Sequence, residues 1–281
     1  VDLEQYLLGV VPREIGRLPA HMIEAMKAQA VAARTYAIGN LGGRESLGFD
    51  FYATVMDQVY GGVEDEDSIV SRAVRETAGE ILTYNGTPIL AYYSSTCGGR
   101  TAAIEDSWPH RQPLPYLRSV SDRIPGTDEF YCSTSNRFTW NTSWTRAGLL
   151  EVLSQTLRAH TRGAVQAVSR VDDVRIVDRN ESGRATVQLT ADGRDYTLRA
   201  DSIRWVLQPE PGPAILNSSL LHDMEAETGP DGVESLEVHG GGWGHAIGMC
   251  QVGAMGRARA GQSYSEILRA YYTGVELRRL Y

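Results

Sequence analysis

The sequence predicts an α+β protein, in which N-terminal helices pack on an antiparallel sheet core and a small α/β subdomain is inserted. Three observations indicate this class. Residues 19–38 repeat apolar and small side chains at three- and four-residue steps, the period of a helix. Asn85-Gly86 joins two strand-prone runs, which is typical of a tight hairpin. Residues 171–200 contain three strand-like runs that are separated by turn residues.

The first 40 residues predict two helices, and Pro19 stands in the first turn of the second, where its missing N–H costs nothing. Small strand-like pieces are expected around Phe51–Tyr52 and Gln58–Tyr60. Residues 65–78 predict a helix that stops at a glycine. A hairpin over 80–94 and a proline-rich loop region over 98–139 follow.

Residues 140–209 are expected to form the inserted subdomain, while 1–139 and 210–281 form the core. The subdomain contains a predicted helix from Thr145 to His160, strands at 171–178, 185–190 and 196–200, and a short helix that ends at Val206. Beyond it, strands are expected at 215–221 and 235–239. The Gly-rich segment 240–251 and helices at 252–260 and 264–272 then complete the core.

The net charge limits the classes of partner. The 281 residues carry a formal charge of −8 and no dense Lys/Arg block, which argues against binding to nucleic acid or to an anionic membrane. No apolar stretch approaches the roughly 20 residues that span a bilayer. We expect membrane attachment only through an N-terminal anchor that this sequence lacks.

Glu14 is a candidate general acid. It ends an apolar helical run, and the next helix presents small alanines with Gln29 on the same stripe and Arg34 near its edge. A neighbouring helix that packs closely would desolvate the carboxyl group and raise its pKa toward neutrality. The alternative is an ordinary solvated charge at a helix end.

Two further segments carry candidate chemistry. Residues 92–101 predict a strand that runs into Gly98-Gly99 with hydroxyls and a thiol at its end. Residues 239–251 surround His239, Trp243 and His245 with glycines. Adjacent glycines allow a close backbone approach to a ligand, or simply a tight turn, and an exposed histidine can be functional or a core residue.

These segments together resemble the SpoIID/LytB amidase-enhancer family. The resemblance rests on Tyr-Leu-Leu-Gly-Val-Val-Pro-Arg-Glu at 6–14, Ala-Met-Lys-Ala-Gln-Ala-Val-Ala-Ala-Arg-Thr-Tyr-Ala at 25–37, Tyr-Ser-Ser-Thr-Cys-Gly-Gly-Arg-Thr at 93–101 and Gly-Trp-Gly-His-Ala-Ile-Gly-Met-Cys-Gln at 242–251. Residues 116–120 and 261–274 fit as well. The motifs span nearly the whole chain in order, except 140–209.

The resemblance implies a peptidoglycan lytic transglycosylase that cuts glycan strands between N-acetylmuramic acid and N-acetylglucosamine, after a partner amidase has removed the stem peptides. It places the catalytic glutamate at Glu14 and implies an extracytoplasmic location. The first alternative is a non-catalytic module that binds glycan or stimulates a cell-wall amidase. The second is a hydrolytic muramidase, which would use Glu14 together with Glu105 or Asp106.

Supporting roles are expected for residues in the same motifs. Gln29 and Arg34 could line the groove or tie their helix to neighbouring loops, and Trp243 could stack on a sugar or cover the core. His245 could polarise the scissile bond, orient Glu14 or bind metal. The complete set of expected substrate contacts is Gln29, Arg34, Ser94, Ser95, Thr96, Gly98, Gly99, Trp243, His245 and Gln251.

No cofactor is needed for the expected chemistry, but the three cysteines allow a zinc ion. Some members of the family hold zinc through a cysteine and a histidine that follows the Gly-Gly pair, where this chain has Arg100-Thr101-Ala102 instead. Cys97, Cys132 and Cys250 with His245 or His239 would complete a closed, structural shell. The alternatives are a Cys97–Cys132 disulfide with free Cys250, or three free thiols.

Overall fold

The computed structural model describes residues 1–281 and confirms the α+β class. The helices are α1 Leu3–Ile15, α2 Ile23–Asn40, α3 Ser68–Glu76, α4 Ile104–Ser107, α5 Arg146–His160, α6 Ser202–Val206, α7 Gln251–Arg259 and α8 Tyr264–Tyr271. Single 3₁₀ turns cover Ala20–Met22, Glu45–Leu47 and Val63–Asp65. No helix is both long enough and apolar enough to cross a membrane.

The strands are distributed over four small sheets. They are β1 Glu80–Tyr84, β2 Thr87–Pro88, β3 Tyr93–Ser94, β4 Thr139–Thr145, β5 Val171–Arg179, β6 Ala185–Ala191, β7 Arg194–Arg199, β8 Leu221–Gly229, β9 Gly232–Gly241, β10 Met249–Cys250 and β11 Glu276–Arg279. Three sheets are antiparallel, with orders β11-β1-β2, β4-β9-β8 and β5-β6-β7. The fourth is the parallel pair β3–β10.

Helix α2 lies at the centre of the first hydrophobic cluster. The sequence predicts one apolar stripe on this helix, but the structure buries it on almost every side, because α1, α3, α7, α8 and β1 all pack against it. Alanine side chains make this possible, since they let neighbouring backbones approach closely. Six alanines of α2 are completely buried, at positions 25, 28, 30, 32, 33 and 37.

Arg34 of α2 joins three elements from inside this cluster. Its side chain has no exposed surface, and its Nε and Nη2 donate to the two carboxylate oxygens of Glu4 at 2.7 and 2.8 Å. It also donates to the carbonyl oxygens of Glu80 and Val74 at 3.0 and 3.3 Å. A buried guanidinium is tolerated only when its donors are satisfied, so Arg34 ties α1, α3 and β1 to α2.

A second hydrophobic cluster contains buried residues from Trp140 to Val238. Helices α5 and α6 and strands β5–β7 lie here, as the sequence predicts, but β8 and β9 belong to it too. Strand β4 was not predicted, and its Trp140 and Trp144 face this cluster. The boundary of the inserted subdomain at residue 209 stays a prediction. The second hydrophobic cluster contains residues from both sides of that boundary.

Two sets of predicted strands do not form. Residues 51–52 and 58–60 are irregular. The backbone N–H groups of Tyr52 and Val59 donate to the side chains of Asp57 and Glu14, each at 2.8 Å, and not to a neighbouring strand. Residues 215–220 are also irregular, and the strand begins at Leu221 and continues through a largely charged segment. That segment is a strand because it pairs with β9, not because of local strand propensity.

Replacement of Arg34 tests the importance of the buried ion pair. We expect Arg34→Ala to lower the free energy of unfolding by about 3–5 kcal/mol, because Glu4 loses its partner and two carbonyls lose a donor. Arg72→Ala is the matched control, since Arg72 forms an exposed pair with Glu76 and should cost no more than about 0.5 kcal/mol. Urea unfolding measures both, and equal losses would contradict the role of Arg34.

Candidate active site

Glu14 lies in the last turn of α1, and its side chain is half-buried. Its Oε1 accepts the backbone N–H of Val59 at 2.8 Å. Burial raises the pKa of this carboxyl group, and the groups that oppose the shift are the Val59 N–H and the side chains of Gln251 and Tyr93, none of them cationic. The negative end of the helix dipole acts in the same direction as burial. A carboxyl group in this setting keeps its proton to higher pH than a solvated glutamate.

Gln251 lies directly beside Glu14 and connects it to Gln29. The Nε2 of Gln251 donates to the backbone carbonyl of Glu14 at 3.0 Å and lies 3.3 Å from the Oε1 of Gln29. Gln29 is fully buried, and its own Nε2 has no hydrogen-bond partner. The structure therefore links Glu14, Gln251 and Gln29, three residues that the sequence predicts for the site, and it leaves the buried Nε2 of Gln29 without a partner.

The parallel pair β3–β10 brings the two Gly-rich motifs together. Met249 lies opposite Tyr93 and Cys250 opposite Ser94, so the 239–251 segment runs beside the 93–101 segment. The two segments pair again where the N–H of Trp243 donates to the carbonyl of Thr96 at 2.7 Å. Gln251 directly follows β10, and this pairing therefore sets its position relative to Glu14.

Three residues of the site were not predicted: Tyr6, Gln58 and Tyr93. Gln58 is fully buried, and its Oε1 accepts from the Tyr6 hydroxyl at 3.3 Å. Its Nε2 donates to the carbonyl of Ala33 at 3.2 Å and to the Tyr93 hydroxyl at 3.0 Å. Because the Tyr93 oxygen accepts from Gln58, its own hydrogen is free to point toward Glu14. The place of Tyr93 within the 93–101 motif was the available signal, whereas Gln58 had none.

The hydroxyls of Ser94, Ser95 and Thr96 differ in their surroundings. The Oγ of Ser94 is buried without a partner, and this side chain is 8 % exposed. Thr96 is also buried, but its Oγ1 lies 2.9 Å from the Oγ of Ser135 and 3.4 Å from that of Ser95. Ser94 is thus the hydroxyl with unused hydrogen-bonding capacity.

Gly98 and Gly99 face other parts of the chain in this structure. Both have left-handed backbones, with φ of 72° and 97°. A Cβ on Gly98 would lie 2.8 Å from the carbonyl carbon of Gly241, and one on Gly99 would lie 3.0 Å from the Phe130 ring. These glycines allow the two motifs and the 120–138 loop to pack together, which differs from the substrate contact that the sequence suggests.

Trp243 is the exposed aromatic side chain of the Gly-rich segment, with 45 % of its surface accessible. The guanidinium of Arg137 lies 4.6 Å from the centre of its ring and also donates to the Oδ1 of Asn217 at 3.1 Å. The stacked guanidinium supports one face of the indole and fixes its orientation. The arrangement suits the stacking of a flat, neutral ligand on the exposed part of the ring.

Arg34 and His245 occupy other positions than the sequence suggests. The hydrogen bonds of Arg34 go to Glu4, Glu80 and Val74, and none goes to Glu14. The Nδ1 of His245 accepts the N–H of Ile247 at 3.0 Å, and its ring packs 5.0 Å from that of Trp108. Burial lowers the pKa of His245 to about 4, so the ring is neutral at pH 7.

The three cysteines lie together, as expected, but His245 is not with them. Cys97, Cys132 and Cys250 form one buried group with Asp122, and their potential ligand atoms all lie within 4.8 Å of one another. All three thiols are free. The fourth member is therefore a carboxylate from the 108–138 loop and not a histidine. His239, the other candidate, lies 2.7 Å from Asn141 through its Nδ1.

Glu105 and Asp106 are both engaged in contacts within the fold. Glu105 forms an ion pair with Arg118. The side chain of Asp106 accepts from the Ser182 hydroxyl, and its backbone carbonyl accepts from Asn180 at 2.9 Å. These contacts hold α4 against neighbouring segments, although the Oε2 of Glu105 is buried without a hydrogen-bond partner.

Comparison with known proteins gives two family matches. The model described as Stage II sporulation protein (SpoIID) matches residues 1–84, which include Glu14 and Gln29. A second model, described as a domain of unknown function (DUF8618), matches residues 120–248, which include Asp122, Cys132 and Trp243.

Several curated relatives match nearly the whole chain. An uncharacterized protein of Brachyspira hyodysenteriae is 34 % identical over 278 residues, which cover 99 % of this chain and 67 % of the relative. Stage II sporulation protein D of Bacillus subtilis is 30 % identical, with 99 % and 74 % covered. The amidase enhancer of Bacillus subtilis is 31 % identical over 96 % of this chain, but the chain spans only 40 % of that protein.

The raised pKa of Glu14 makes a prediction about stability. When the folded-state pKa lies above the unfolded one, ionisation of the group costs stability as pH rises through the folded pKa. Glu14→Gln carries no charge and can still accept from Val59, so it should be at least as stable as the parent at pH 7. Its advantage should shrink at lower pH, where Glu14 is protonated. Urea unfolding over a pH series measures this, and a less stable variant without pH dependence would refute it.

Proposed function

The chain belongs to the stage II sporulation protein D family, and we propose that it is a peptidoglycan lytic transglycosylase. It cleaves the bond between N-acetylmuramic acid and N-acetylglucosamine in glycan strands from which the stem peptides have been removed. The family likeness supports a function in the cell wall. The reaction itself is inferred from the site around Glu14.

The observation that carries this proposal is a half-buried carboxyl group with a raised pKa and no cationic partner. Arg34, the buried cation nearest along the sequence motif, is neutralised by Glu4, so it does not hold Glu14 in its ionised form. A carboxyl group that keeps its proton to higher pH than an ordinary glutamate can supply the proton that the departure of a sugar alkoxide requires. A structural role would be served better by a paired or solvated glutamate.

Glu14 acts first as an acid and then as a base. Its proton passes to the glycosidic oxygen, and the bond to C1 of the muramic acid breaks as the leaving sugar takes up that proton. The Glu14 carboxylate then accepts the proton of the muramic acid 6-hydroxyl while that oxygen bonds to C1. The products are a 1,6-anhydro end and a new non-reducing end, and Glu14 is protonated again, so no water is consumed.

One carboxyl group suffices for this scheme, whereas hydrolysis needs a second one at a defined separation, about 5–5.5 Å or 6.5–9.5 Å. Glu105 and Asp106 are the acidic pair nearest to the Gly-Gly loop in sequence, and both make contacts that hold α4 in place. Glu105 is paired with Arg118 through one carboxylate oxygen and makes no hydrogen bond to Glu14. The single-acid reaction therefore fits the site better than the muramidase alternative.

Polar and aromatic groups around Glu14 suit an amino-sugar polymer. The Nε2 of Gln29 and the Oγ of Ser94 have no hydrogen-bond partner, but both atoms are buried, so a sugar would reach them only if the groups that cover them move. Trp243 offers an exposed ring for stacking on a sugar face. Gln251, through its bond to the Glu14 carbonyl, positions the acid and does not need to touch the glycan.

A second candidate function is stimulation of a cell-wall amidase without cleavage. It is favoured by one observation, the similarity to a protein named amidase enhancer, of which this chain spans two fifths. The intact Glu14 site favours the enzyme over this module. Either function implies peptidoglycan as a partner and a location outside the cytoplasm.

Substitution of the acid tests the enzyme directly. Peptide-free glycan strands incubated with the protein should acquire 1,6-anhydro-muramic ends, detected by mass spectrometry. Glu14→Gln should lower the rate by about 10²–10⁴-fold, because the amide cannot donate the proton. Glu105→Gln is the control and should keep most of the activity.

Three outcomes separate the alternatives. New reducing ends with a gain of water would indicate a hydrolase. No cleavage of peptide-free strands by the parent protein, together with faster release of stem peptides from peptide-bearing strands by an added amidase, would indicate the stimulating module. Equal activity of Glu14→Gln and the parent would rule out Glu14 as the acid.

The role of Trp243 is tested through substrate affinity. Trp243→Ala should raise KM about 2–12-fold and change kcat little, because an aromatic contact contributes about 0.5–1.5 kcal/mol to binding. Trp205→Ala is the matched control. This tryptophan is also exposed, at 58 %, but it lies on α6, which packs on the second hydrophobic cluster and carries none of the candidate site residues. The same KM for both variants would exclude a stacking role.

A further inference from the structure

Four potential metal ligands from distant parts of the chain come together next to the segments that carry the candidate active site. Cys97 precedes the Gly-Gly pair, Asp122 and Cys132 come from the loop region between α4 and β4, and Cys250 is the N-cap of α7. Each is at most 1 % exposed. A buried group of three thiols and a carboxylate serves no step of the proposed reaction, so it needs a separate explanation.

Distances distinguish the two chemistries open to such thiols. The Sγ atoms of Cys97 and Cys132 are 3.5 Å apart, and the Cys97 Sγ is 3.8 Å from the Oδ2 of Asp122. A disulfide requires about 2.05 Å between the sulfurs. Tetrahedral ligands at about 2.3 Å from a zinc ion lie roughly 3.8 Å from one another. The spacing therefore matches ligands around one small ion.

We propose that Cys97, Cys132, Cys250 and Asp122 bind a single zinc ion in a closed tetrahedral site. Binding deprotonates the three thiols, whose protons pass to solvent, and no oxidant or reductant is involved. All four positions are filled by the protein, so the ion is structural and leaves no position for water or substrate. This inference does not depend on the glycan-cleaving activity.

The surroundings of Asp122 orient it as a ligand. Its Oδ1 accepts from the Tyr271 hydroxyl at 2.7 Å and from Arg257 at 3.2 Å, which leaves Oδ2 directed toward the cysteines. The Arg257 guanidinium is held over the rings of Tyr131 and Tyr271, at 4.4 and 5.0 Å. Its positive charge offsets part of the negative charge of three thiolates and a carboxylate around a divalent ion.

Backbone donors also prepare Cys250 to bind as a thiolate. Its Sγ accepts the N–H of Cys97 at 3.2 Å and that of Gly253 at 3.3 Å. Gly253 must lack a side chain here, because a Cβ would lie 2.1 Å from the Tyr271 hydroxyl and 2.4 Å from the Oδ2 of Asp122. The first turn of α7 is thus shaped around the proposed ion.

The ion would join the segments that build the active site. Cys97 follows Ser94–Thr96, and Cys250 immediately precedes Gln251, whose amide holds the backbone of Glu14. A bound metal fixes these segments relative to the 108–138 loop, which has few regular elements of its own. Loss of the ion should therefore lower the stability of the fold and loosen the position of Gln251.

The first experiment measures metal and thiol content of the full chain. Protein purified without chelators should contain about one zinc per chain by elemental analysis, and denaturation should release three titratable thiols. After removal of zinc, reconstitution with Co²⁺ should give the intense visible absorption of a tetrahedral thiolate site. Asp122→Asn should bind zinc more weakly, whereas His245→Gln should keep the zinc content of the parent.

A pair of neighbouring tyrosines provides a test that does not remove a ligand. Tyr271→Phe takes away the hydrogen bond to Asp122 and should lower zinc affinity about 10–100-fold in competition with a chromogenic chelator. Tyr272→Phe is the matched control, because this equally buried hydroxyl donates to the carbonyl of Tyr92. Its affinity should match that of the parent.

Three results would overturn the proposal. Two missing thiols in metal-free protein, recovered on reduction, would show a disulfide instead. Three free thiols and no zinc in protein produced with added zinc would show an empty thiol cluster. Equal zinc affinities of Tyr271→Phe and Tyr272→Phe, with zinc retained by Asp122→Asn, would remove Asp122 from the site.

Discussion

The structure depends on the close packing of other elements around α2. Its buried alanines let α1, α3, α7, α8 and β1 approach from different sides, and each of these elements then has a defined position. Larger side chains would hold the neighbours apart, since protein interiors are filled to crystal-like density. Arg34 completes this arrangement, because its buried guanidinium bonds to α1 directly and to backbone carbonyls of α3 and β1. The last turn of α1, with Glu14, is held in place as a result.

The pKa of the candidate acid Glu14 is raised because the fold buries its carboxyl group without placing a cation beside it. Glu14 has one backbone donor and neutral side chains around it, while the buried arginine of the same motif is paired elsewhere. Desolvation without a counter-charge favours the protonated form, at a cost in stability that the surrounding core must supply. The unused polar atoms of Gln29 and Ser94 add to this cost.

The Gly-rich motifs serve mainly to bring distant segments together. Gly98 and Gly99 adopt left-handed backbones against Gly241 and Phe130, and the β3–β10 pair then aligns Ser94 with Cys250. In β10 and the residue after it, Cys250 of the cysteine group is followed directly by Gln251, which contacts Glu14. The proposed zinc site and the proposed catalytic site therefore share their supporting backbone, although they use different side chains.

The sequence by itself determined the α+β class and the two N-terminal helices, and it singled out Glu14 as a candidate acid. Features of this kind can be predicted because helical period, turn residues and the order of motifs are read directly along the sequence. Only the tertiary structure decided that Arg34 pairs with Glu4, that Gln58 and Tyr93 join the site, and that Asp122 replaces His245 beside the cysteines. Each of these contacts joins residues at least 25 positions apart through irregular loops. Their geometry is set by the packing of the whole chain, which no local pattern records.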